Sequence, residues 1–193
     1  MRCLVTGGAG FIGSNLVDKL IERGHEVIIF DNYSTGKKEN VNKKAKFFLV
    51  DVSHTPSFED ETMKKIMTGV DVVFHLAAMT SVEESIHNPK EYHKVNVLGT
   101  LNMLKACVDY DVKRFVYTSS SAVYGDAEHT PTNEYSPIIP MSPYAMNKQM
   151  GEQYCFLFSQ LYGLETVSLR YANVFGNRQR NEGAYCNVIG IFK

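Results

Sequence analysis

The stretch Gly7-Gly8-Ala9-Gly10-Phe11-Ile12-Gly13 decides the fold, because of what stands on either side of it. The run before it, residues 2–6, predicts a strand, and residues 11–23 carry apolar side chains at helical spacing. Three glycines spaced in this way allow a tight turn, close approach of backbone to a pyrophosphate, and close packing of helix on strand. The helix N-terminus adds N–H groups and the positive end of a dipole. The stretch therefore predicts the phosphate-binding turn of a dinucleotide-binding domain.

Short β-branched or aromatic runs alternate with amphipathic stretches along the rest of the chain. They predict strands at 26–30, 46–50, 71–75, 114–118 and 165–169, helices at 58–67, 89–110 and 142–162, and a loop over 119–141. This alternation predicts an α/β fold with a parallel sheet and helices on both faces. Right-handed crossovers then favour a doubly wound sheet, the Rossmann fold.

An acidic residue, Asp31, follows the second predicted strand. Its carboxylate can accept hydrogen bonds from the 2′- and 3′-hydroxyls of a ribose, and it would repel a 2′-phosphate. The residue therefore favours NAD over NADP.

A possible acid–base set consists of Tyr144, Lys148 and Ser120. The first two are four residues apart on a predicted helix, so their side chains share one face. A free tyrosine has a pKa near ~10, and a nearby ammonium lowers it. Ser120 lies near the carboxyl end of the fifth predicted strand, on the edge where such sheets bind ligands, and its hydroxyl can share a proton with Tyr144. Following a dinucleotide turn, this set predicts catalysis.

Composition excludes several other classes. The chain has 193 residues and a formal net charge of -1, which gives no global electrostatic reason to bind nucleic acid or an anionic membrane. No apolar run approaches the ~20 residues of a membrane span. Scattered cysteines and histidines predict reduced thiols and no metal site. The first predicted strand starts at once, at the Arg2-Cys3-Leu4 run, which leaves no room for a signal peptide, so we expect a cytoplasmic protein.

Together these residues resemble the extended short-chain dehydrogenase/reductase family, the NAD-dependent nucleotide-sugar epimerases and dehydratases. The matching motifs span the chain: 6–13, 31–32, 51–52, 75–78, Asn96, 119–125, 142–148 and 169–173. Taken singly, Asp51, His75 and Asn96 would be interpreted as structural, and only the joint pattern favours a role in the site.

The resemblance implies residue roles around the cofactor and the substrate. The implied cofactor-binding residues are Gly7, Gly10, Phe11, Ile12, Gly13, Asp31, Asn32, Asp51, Val52, Leu76, Ala77, Ala78, Asn96, Tyr144, Lys148 and Tyr171. The implied substrate-binding residues are Ser120, Tyr144 and Asn173, the last at the diphosphate of a nucleotide sugar, which we expect to be a UDP-sugar.

The segment before Val123-Tyr124-Gly125 separates activities within the family. In the 4,6-dehydratases of the family this segment resembles Thr-Asp-Glu. This chain has Ser120-Ser121-Ala122 instead and is similar to the 4-epimerases. In that reaction a hydride leaves C4 of the sugar and returns to the other face of a 4-keto intermediate. Residues 170–176, 178–179 and 183–185 resemble members that act on UDP-N-acetylhexosamines or UDP-uronates. Thr80 replaces a lysine of some UDP-galactose 4-epimerases, so the sugar stays open.

Two alternatives stay open beside the epimerase. One is a dehydratase, decarboxylase or reductase of the same nucleotide sugars. The other is a non-catalytic NAD-binding module.

Family members carry a smaller C-terminal domain that grips the nucleotide. By resemblance, residues 1–170 form the NAD-binding domain, residues 171–193 begin a truncated substrate-binding region, and the C-terminal substrate domain is missing. We therefore expect residues 1–193 alone to bind NAD and to turn over poorly or not at all.

Helices 89–110 and 142–162 resemble the pair that forms a homodimer interface in the family. They carry extra apolar residues, such as Met103, Phe156 and Leu157. The alternative is that these side chains face the sheet.

Overall fold

A computed structural model describes residues 1–54, 61–127 and 130–179. Its six strands are β1 Arg2–Thr6, β2 Glu26–Asp31, β3 Lys46–Leu49, β4 Val72–His75, β5 Arg114–Ser120 and β6 Glu165–Tyr171. Its α-helices are α1 Phe11–Glu22, α2 Glu61–Met67, α3 Val82–His87, α4 Pro89–His93, α5 Gly99–Asp109 and α6 Pro143–Tyr162.

All strand pairs are parallel, and the sheet order is β3-β2-β1-β4-β5-β6. The order reverses at β1 and β4, and sheets of this kind bind ligands in the crevice outside the carboxyl ends of the strands at that point. The doubly wound Rossmann fold predicted from the sequence is confirmed.

The core lies on both faces of the sheet because neighbouring side chains of a strand point to opposite sides. On one face Val5 of β1 packs in a cluster with Val17 and Leu20 of α1. On the other face Leu4 belongs to a larger cluster that includes Met103 of α5 and Phe158 of α6. The helices thus cover β1 from both sides, and α5 and α6 cover β5 on one side.

Several predicted boundaries are wrong by one or two residues. β2, β5 and β6 run further towards the site than predicted, because β5 and β6 stay paired up to Ser120 and Tyr171. β3 and β4 are one residue shorter than predicted, and α1 and α6 end within one residue of prediction. Of the helix predicted at 58–67, residues 61–67 are helical and 58–60 lie outside the described residues.

The regular helix predicted over 89–110 is wrong in its middle. α4 leads into a π-helical turn, Lys94–Leu98, which leads into α5. Thr100 donates its hydroxyl to the carbonyl of Asn96 at 2.6 Å within this widened turn. Such π-bulges often mark functional positions, and this one places Asn96 against the loop after β4.

Helix α3 was not predicted, although its signal is visible in the sequence. The Ser81 hydroxyl accepts a hydrogen bond from the Glu84 backbone N–H at 3.1 Å, the pattern of a helix N-cap. Ser142 caps α6 in the same way, accepting from Ala145, and Gly163 ends α6 in the left-handed conformation.

Within the described residues, no helix is both long and apolar enough to cross a membrane. The same part of the chain contains no group of three His, Cys, Asp or Glu side chains that could hold a metal ion. The division at 170/171 stays a prediction, since residues 180–193 lie outside the described ranges.

Candidate functional site

The glycine turn joins β1 to α1 at the carboxyl edge of the sheet. Gly7 has φ of +70°, and a Cβ there would lie 2.9 Å from the backbone nitrogen of Ala77. A Cβ on Gly13 would lie 2.1 Å from the carbonyl oxygen of Gly7. Gly10 is the N-cap of α1, whose first turn has neither a side-chain cap nor an acidic residue. The turn therefore leaves the N–H groups of the helix end for an anion.

Asp31 lies at the end of β2 and is mostly buried. Its carboxylate accepts hydrogen bonds from the backbone N–H groups of Ala9 at 3.0 Å and Tyr33 at 2.8 Å. Each carboxylate oxygen has a further lone pair. Asp31 thus shapes the glycine turn and presents a carboxylate beside it.

Asp51 and Asn32 join the ends of β2 and β3. The amide of Asn32 donates to Asp51 at 3.2 Å, and Ser53 donates its backbone N–H and its hydroxyl to the same carboxylate. Partial burial raises the pKa of Asp51, but the hydrogen bonds from Ser53 and Asn32 outweigh it and hold the pKa below its usual value. Val52, next in the chain, is buried in the core.

The loop after β4 is fixed by side chains of two other elements. The hydroxyl of Thr6 accepts hydrogen bonds from the N–H groups of Leu76 and Ala77, each at 3.1 Å. Asn96 accepts from the N–H of Met79 at 2.8 Å and donates to its carbonyl at 2.9 Å. The bonds of Asn96 show a structural role, which holds the 76–79 loop beside the glycine turn.

His75 is a buried neutral group beneath this loop. Burial, with a smaller contribution from the charge of Lys148, lowers its pKa to about 3. Its two ring nitrogens contact the hydroxyls of Thr6 at 2.8 Å and Thr100 at 3.1 Å. His75 therefore links β1 to α5 through the hydroxyls of Thr6 and Thr100.

The predicted acid–base residues lie at the same edge of the sheet. Tyr144 and Lys148 occupy successive turns of α6, and the Lys148 nitrogen is 5.9 Å from the centre of the Tyr144 ring. Ser120 ends β5, and its hydroxyl accepts from the N–H of Ala122 at 3.1 Å. Tyr144 is itself anchored by its backbone N–H, which donates to Ser85 at 3.2 Å.

Lys148 is held in place more firmly than sequence spacing indicates. Its ammonium donates to the carbonyl of Thr118 at 2.7 Å and lies 5.2 Å from the centre of the Tyr117 ring. The side chain is buried, and burial lowers its pKa to about 8. A lysine so placed carries its charge at neutral pH but loses the proton more easily than a surface lysine.

An open cleft of about 370 Å³ lies beside the acid–base residues. Ala122, two residues after Ser120, and Ala145, next to Tyr144, form part of its wall, together with Gly125 and Met141. The cleft thus adjoins the chain segments that carry Ser120 and Tyr144.

The segment after β6 returns across the sheet edge to α1. Tyr171 pairs with Ser120 at the end of β6, and Asn173 is exposed in the segment that follows. The amide of Asn15 donates to the carbonyl of Asn177 at 2.9 Å, and Arg178 forms a 2.7 Å ion pair with Asp18. This path brings residues 172–178 across the edge that carries the glycine turn. Residues 183–185, which also carried the resemblance to the family, lie outside the described ranges.

One ion pair beside the site was not predicted as part of it. Glu152 follows Lys148 by one helical turn and is bound by Arg170 through two hydrogen bonds, of 2.9 and 2.8 Å. The available signal was the four-residue spacing of Tyr144, Lys148 and Glu152 along one face of α6.

The helix surfaces assigned to a dimer interface are apolar only in part. Phe156 and Leu157 of α6 are exposed, as the prediction requires. Met103 is fully buried against the sheet, so its assignment to an outer surface was wrong.

The strand order and the glycine turn at the point where that order reverses are those of a Rossmann, dinucleotide-binding domain. The chain belongs to the NAD dependent epimerase/dehydratase family, whose model matches residues 3–192. The resemblance drawn from the motifs is thereby confirmed.

Individual relatives agree with this assignment. The chain is 47% identical over 190 residues to a putative UDP-glucose 4-epimerase of Methanocaldococcus jannaschii. Among solved structures it resembles the Thermotoga maritima UDP-glucose 4-epimerase with UDP-glucose, at a TM-score of 0.91 and 42% identity. The Thermus thermophilus UDP-glucose 4-epimerase in complex with NAD gives a TM-score of 0.89 and 45% identity. With the NAD-dependent family, this confirms NAD as the predicted cofactor.

The match covers nearly all of this chain but only part of each relative. The match includes 98% of the chain for the Methanocaldococcus protein, 100% for the Thermotoga structure and 95% for the Thermus structure. The chain spans 61%, 62% and 59% of their own lengths.

Proposed function

We propose that the protein containing this chain is an NAD-dependent nucleotide-sugar 4-epimerase. Its substrate is a UDP-hexose, a UDP-N-acetylhexosamine or a UDP-uronate. The observation that carries the proposal is the position of Lys148, which bonds to Thr118 on β5 and lies within 5.9 Å of the Tyr144 ring centre at the edge that carries the glycine turn.

The residues present fit a dinucleotide. A Cβ at Gly13 would collide with the turn, and the first turn of α1 offers its N–H groups to a pyrophosphate. Asp31 would accept hydrogen bonds from the ribose hydroxyls. Asn32, Asp51 and Val52 would lie on the adenine side of the cofactor. Phe11, Ile12 and residues 76–78 would line the path of the cofactor, and Tyr171 would contact the nicotinamide. When bound, NAD supplies the acceptor for the hydride from C4 of the sugar and returns it.

Tyr144 acts as the base in this mechanism. It takes the proton of the C4 hydroxyl as that carbon is oxidised to a ketone, and Ser120 relays the proton between the sugar and the phenol. The charge of Lys148 stabilises the phenolate, and its ammonium would hold the nicotinamide ribose. Asn173 contacts the substrate diphosphate and keeps the sugar at the site. Return of the proton from Tyr144, with the hydride that the bound cofactor would give back, to the opposite face of the ketone would yield the epimer with no net redox change.

The alternatives differ in their products. Incubation of the protein with UDP-glucose, UDP-galactose, UDP-N-acetylglucosamine and dTDP-glucose, followed by NMR, tests them together. We expect a C4 epimer from at least one UDP-sugar. A 4-keto-6-deoxy product or release of CO2 would replace the epimerase with a dehydratase or decarboxylase. Bound NAD with no product from any sugar would favour a non-catalytic module.

A homodimer through α4–α5 and α6 is part of the same proposal. Its support is the exposure of Phe156, Leu157 and Leu161 on α6, at 59%, 45% and 69%. Apolar side chains grouped in this way commonly mark an interface. Light scattering tests the assembly.

We also propose a cytoplasmic location. Its support is that Cys3, Cys107 and Cys155 are buried and free of disulfides.

A further inference from the structure

Glu152 and Arg170 form an ion pair that reaches both sides of Ser120. Arg170 lies on β6 directly opposite Ser119 of β5. The Ser119 hydroxyl donates to the Glu152 carboxylate, which also accepts the two bonds from Arg170. The residue immediately before Ser120 is therefore bound to α6 through Glu152.

The same arginine holds the turn that follows Ser120. Its guanidinium donates to the hydroxyl of Tyr124 at 2.8 Å and lies 4.9 Å from the centre of that ring. A further bond, of 3.2 Å, goes to the carbonyl of Glu134. Tyr124 ends the short 3-10 turn Ser121–Tyr124, whose first N–H groups include the one bound by Ser120.

Geometry and burial make this pair unlike the surface ion pairs of the chain. The side chains of Glu152 and Arg170 are 9% and 20% exposed. A bidentate guanidinium–carboxylate contact of this kind fixes direction as well as distance. By contrast, Arg114 of β5 and Glu165 of β6 pair at the opposite end of these strands, with side chains 52% and 63% exposed.

We propose that Glu152 and Arg170 are positioning residues, which hold Ser120 and the 121–125 turn in register with Tyr144 and Lys148. The pair acts through Ser119 and Tyr124 and does not touch the reacting atoms. Part of the cleft wall, Ala122 and Gly125, belongs to the same turn, so the pair also shapes the cleft beside Ser120. This inference rests on the proposed epimerase function.

The test compares Glu152→Gln with Glu165→Gln in the protein that contains this chain. Both changes remove one negative charge from an Arg–Glu pair that involves β6, Glu152 beside the site on α6 and Glu165 at the opposite end of the strand. Per NAD-loaded site, we expect Glu152→Gln to lower kcat about tenfold or more with KM within about twofold, because proton transfer is sensitive to small displacements. Glu165→Gln should match the wild type.

Hydrogen exchange gives a second readout, which does not depend on turnover. Peptides covering 115–127 should exchange about tenfold faster in Glu152→Gln than in Glu165→Gln, because the bond between Ala122 and Ser120 opens more often. Equal kcat and equal exchange in the two variants would overturn the positioning role. If Glu152→Gln does not fold, Arg170→Lys keeps the positive charge but not the fork to both Glu152 and Tyr124, and it should show the same pattern.

The outcomes separate the two proposals. Absence of epimerisation by the wild type on every nucleotide sugar contradicts the proposed function, and the exchange comparison then still decides whether the pair holds the turn. Epimerisation by the wild type with an unaffected Glu152→Gln contradicts the positioning role alone.

Discussion

The carboxylate of Asp31 accepts a hydrogen bond from the backbone N–H of Ala9 at 3.0 Å, so the end of β2 is tied directly to the glycine turn. The residue proposed to select the cofactor therefore also shapes the phosphate site. A change at this position should alter cofactor choice and stability together.

We expect Asp31→Asn to reduce the preference for NAD over NADP. The amide keeps an acceptor for one N–H but loses the charge that repels a 2′-phosphate, so the ratio of the two Kd values should fall at least about tenfold, or about 1.4 kcal/mol. Calorimetric titration with both cofactors measures this ratio, and Asp109→Asn, on the surface of α5, serves as the control. An unchanged ratio would remove Asp31 from cofactor selection.

Tyr144→Phe should abolish turnover while NAD stays bound. The substitution removes only the hydroxyl, so kcat should fall by roughly 10²–10⁴, the range for loss of a positioned acid–base group. Turnover is followed by product NMR, and NAD is counted after heat release. The control is Tyr135→Phe, because Tyr135 is 96% exposed. Wild-type kcat in Tyr144→Phe would rule the tyrosine out as the base.

Gly13→Ala should remove the dinucleotide site. The new Cβ would stand 2.1 Å from the carbonyl oxygen of Gly7, so the turn must move. We expect a loss of roughly 1–3 kcal/mol in the free energy of unfolding, typical of overpacking, and no NAD after purification. Gly24→Ala is the control, because no atom lies within 4 Å of an added Cβ there, and its positive φ strains the backbone away from the glycine turn, so this variant should lose stability but keep NAD. Retention of NAD by Gly13→Ala would contradict the assignment of the turn.

Lys148→Met should change how stability depends on pH. The pKa of Lys148 is lowered to about 8 in the folded protein, from an ordinary value of 10.5. Between these values the unfolded chain binds more protons, so the free energy of unfolding contributed by this group rises with pH. From pH 7 to pH 9 the gain is about 1 kcal/mol. Urea unfolding at both pH values should show this gain in the wild type relative to Lys148→Met. Equal pH dependence in the two proteins would mean that the pKa of Lys148 is not lowered.

Local patterns allowed much of the fold to be predicted. Strand β1 and the start of α1 were predicted because the glycine turn fixes where β1 ends and where α1 begins. The π-turn at Lys94–Leu98 was missed because it depends on Thr100 and on the contact of Asn96 with Met79, seventeen residues away in the chain. Spacing cannot reveal a contact of that kind.

The site shows the same division between local and distant information. The four-residue spacing of Tyr144 and Lys148 was enough to place both on one face of α6. The bond from Lys148 to Thr118, thirty residues earlier, could not be predicted, because it depends on the packing of α6 on β5. Glu152 stands on the same face, but its partner Arg170 lies on β6, so its place beside Ser120 became visible only in three dimensions.

Conversion of a UDP-sugar that carries deuterium at C4 tests the central claim most directly. The protein containing this chain should convert it to the C4 epimer with the deuterium still at C4, because the hydride leaves and returns at the same carbon. Tyr144→Phe, with NAD bound, should leave the label and the configuration unchanged. Loss of deuterium to solvent, or a product altered at another carbon with C4 not inverted, would contradict a 4-epimerase built on Ser120, Tyr144 and Lys148.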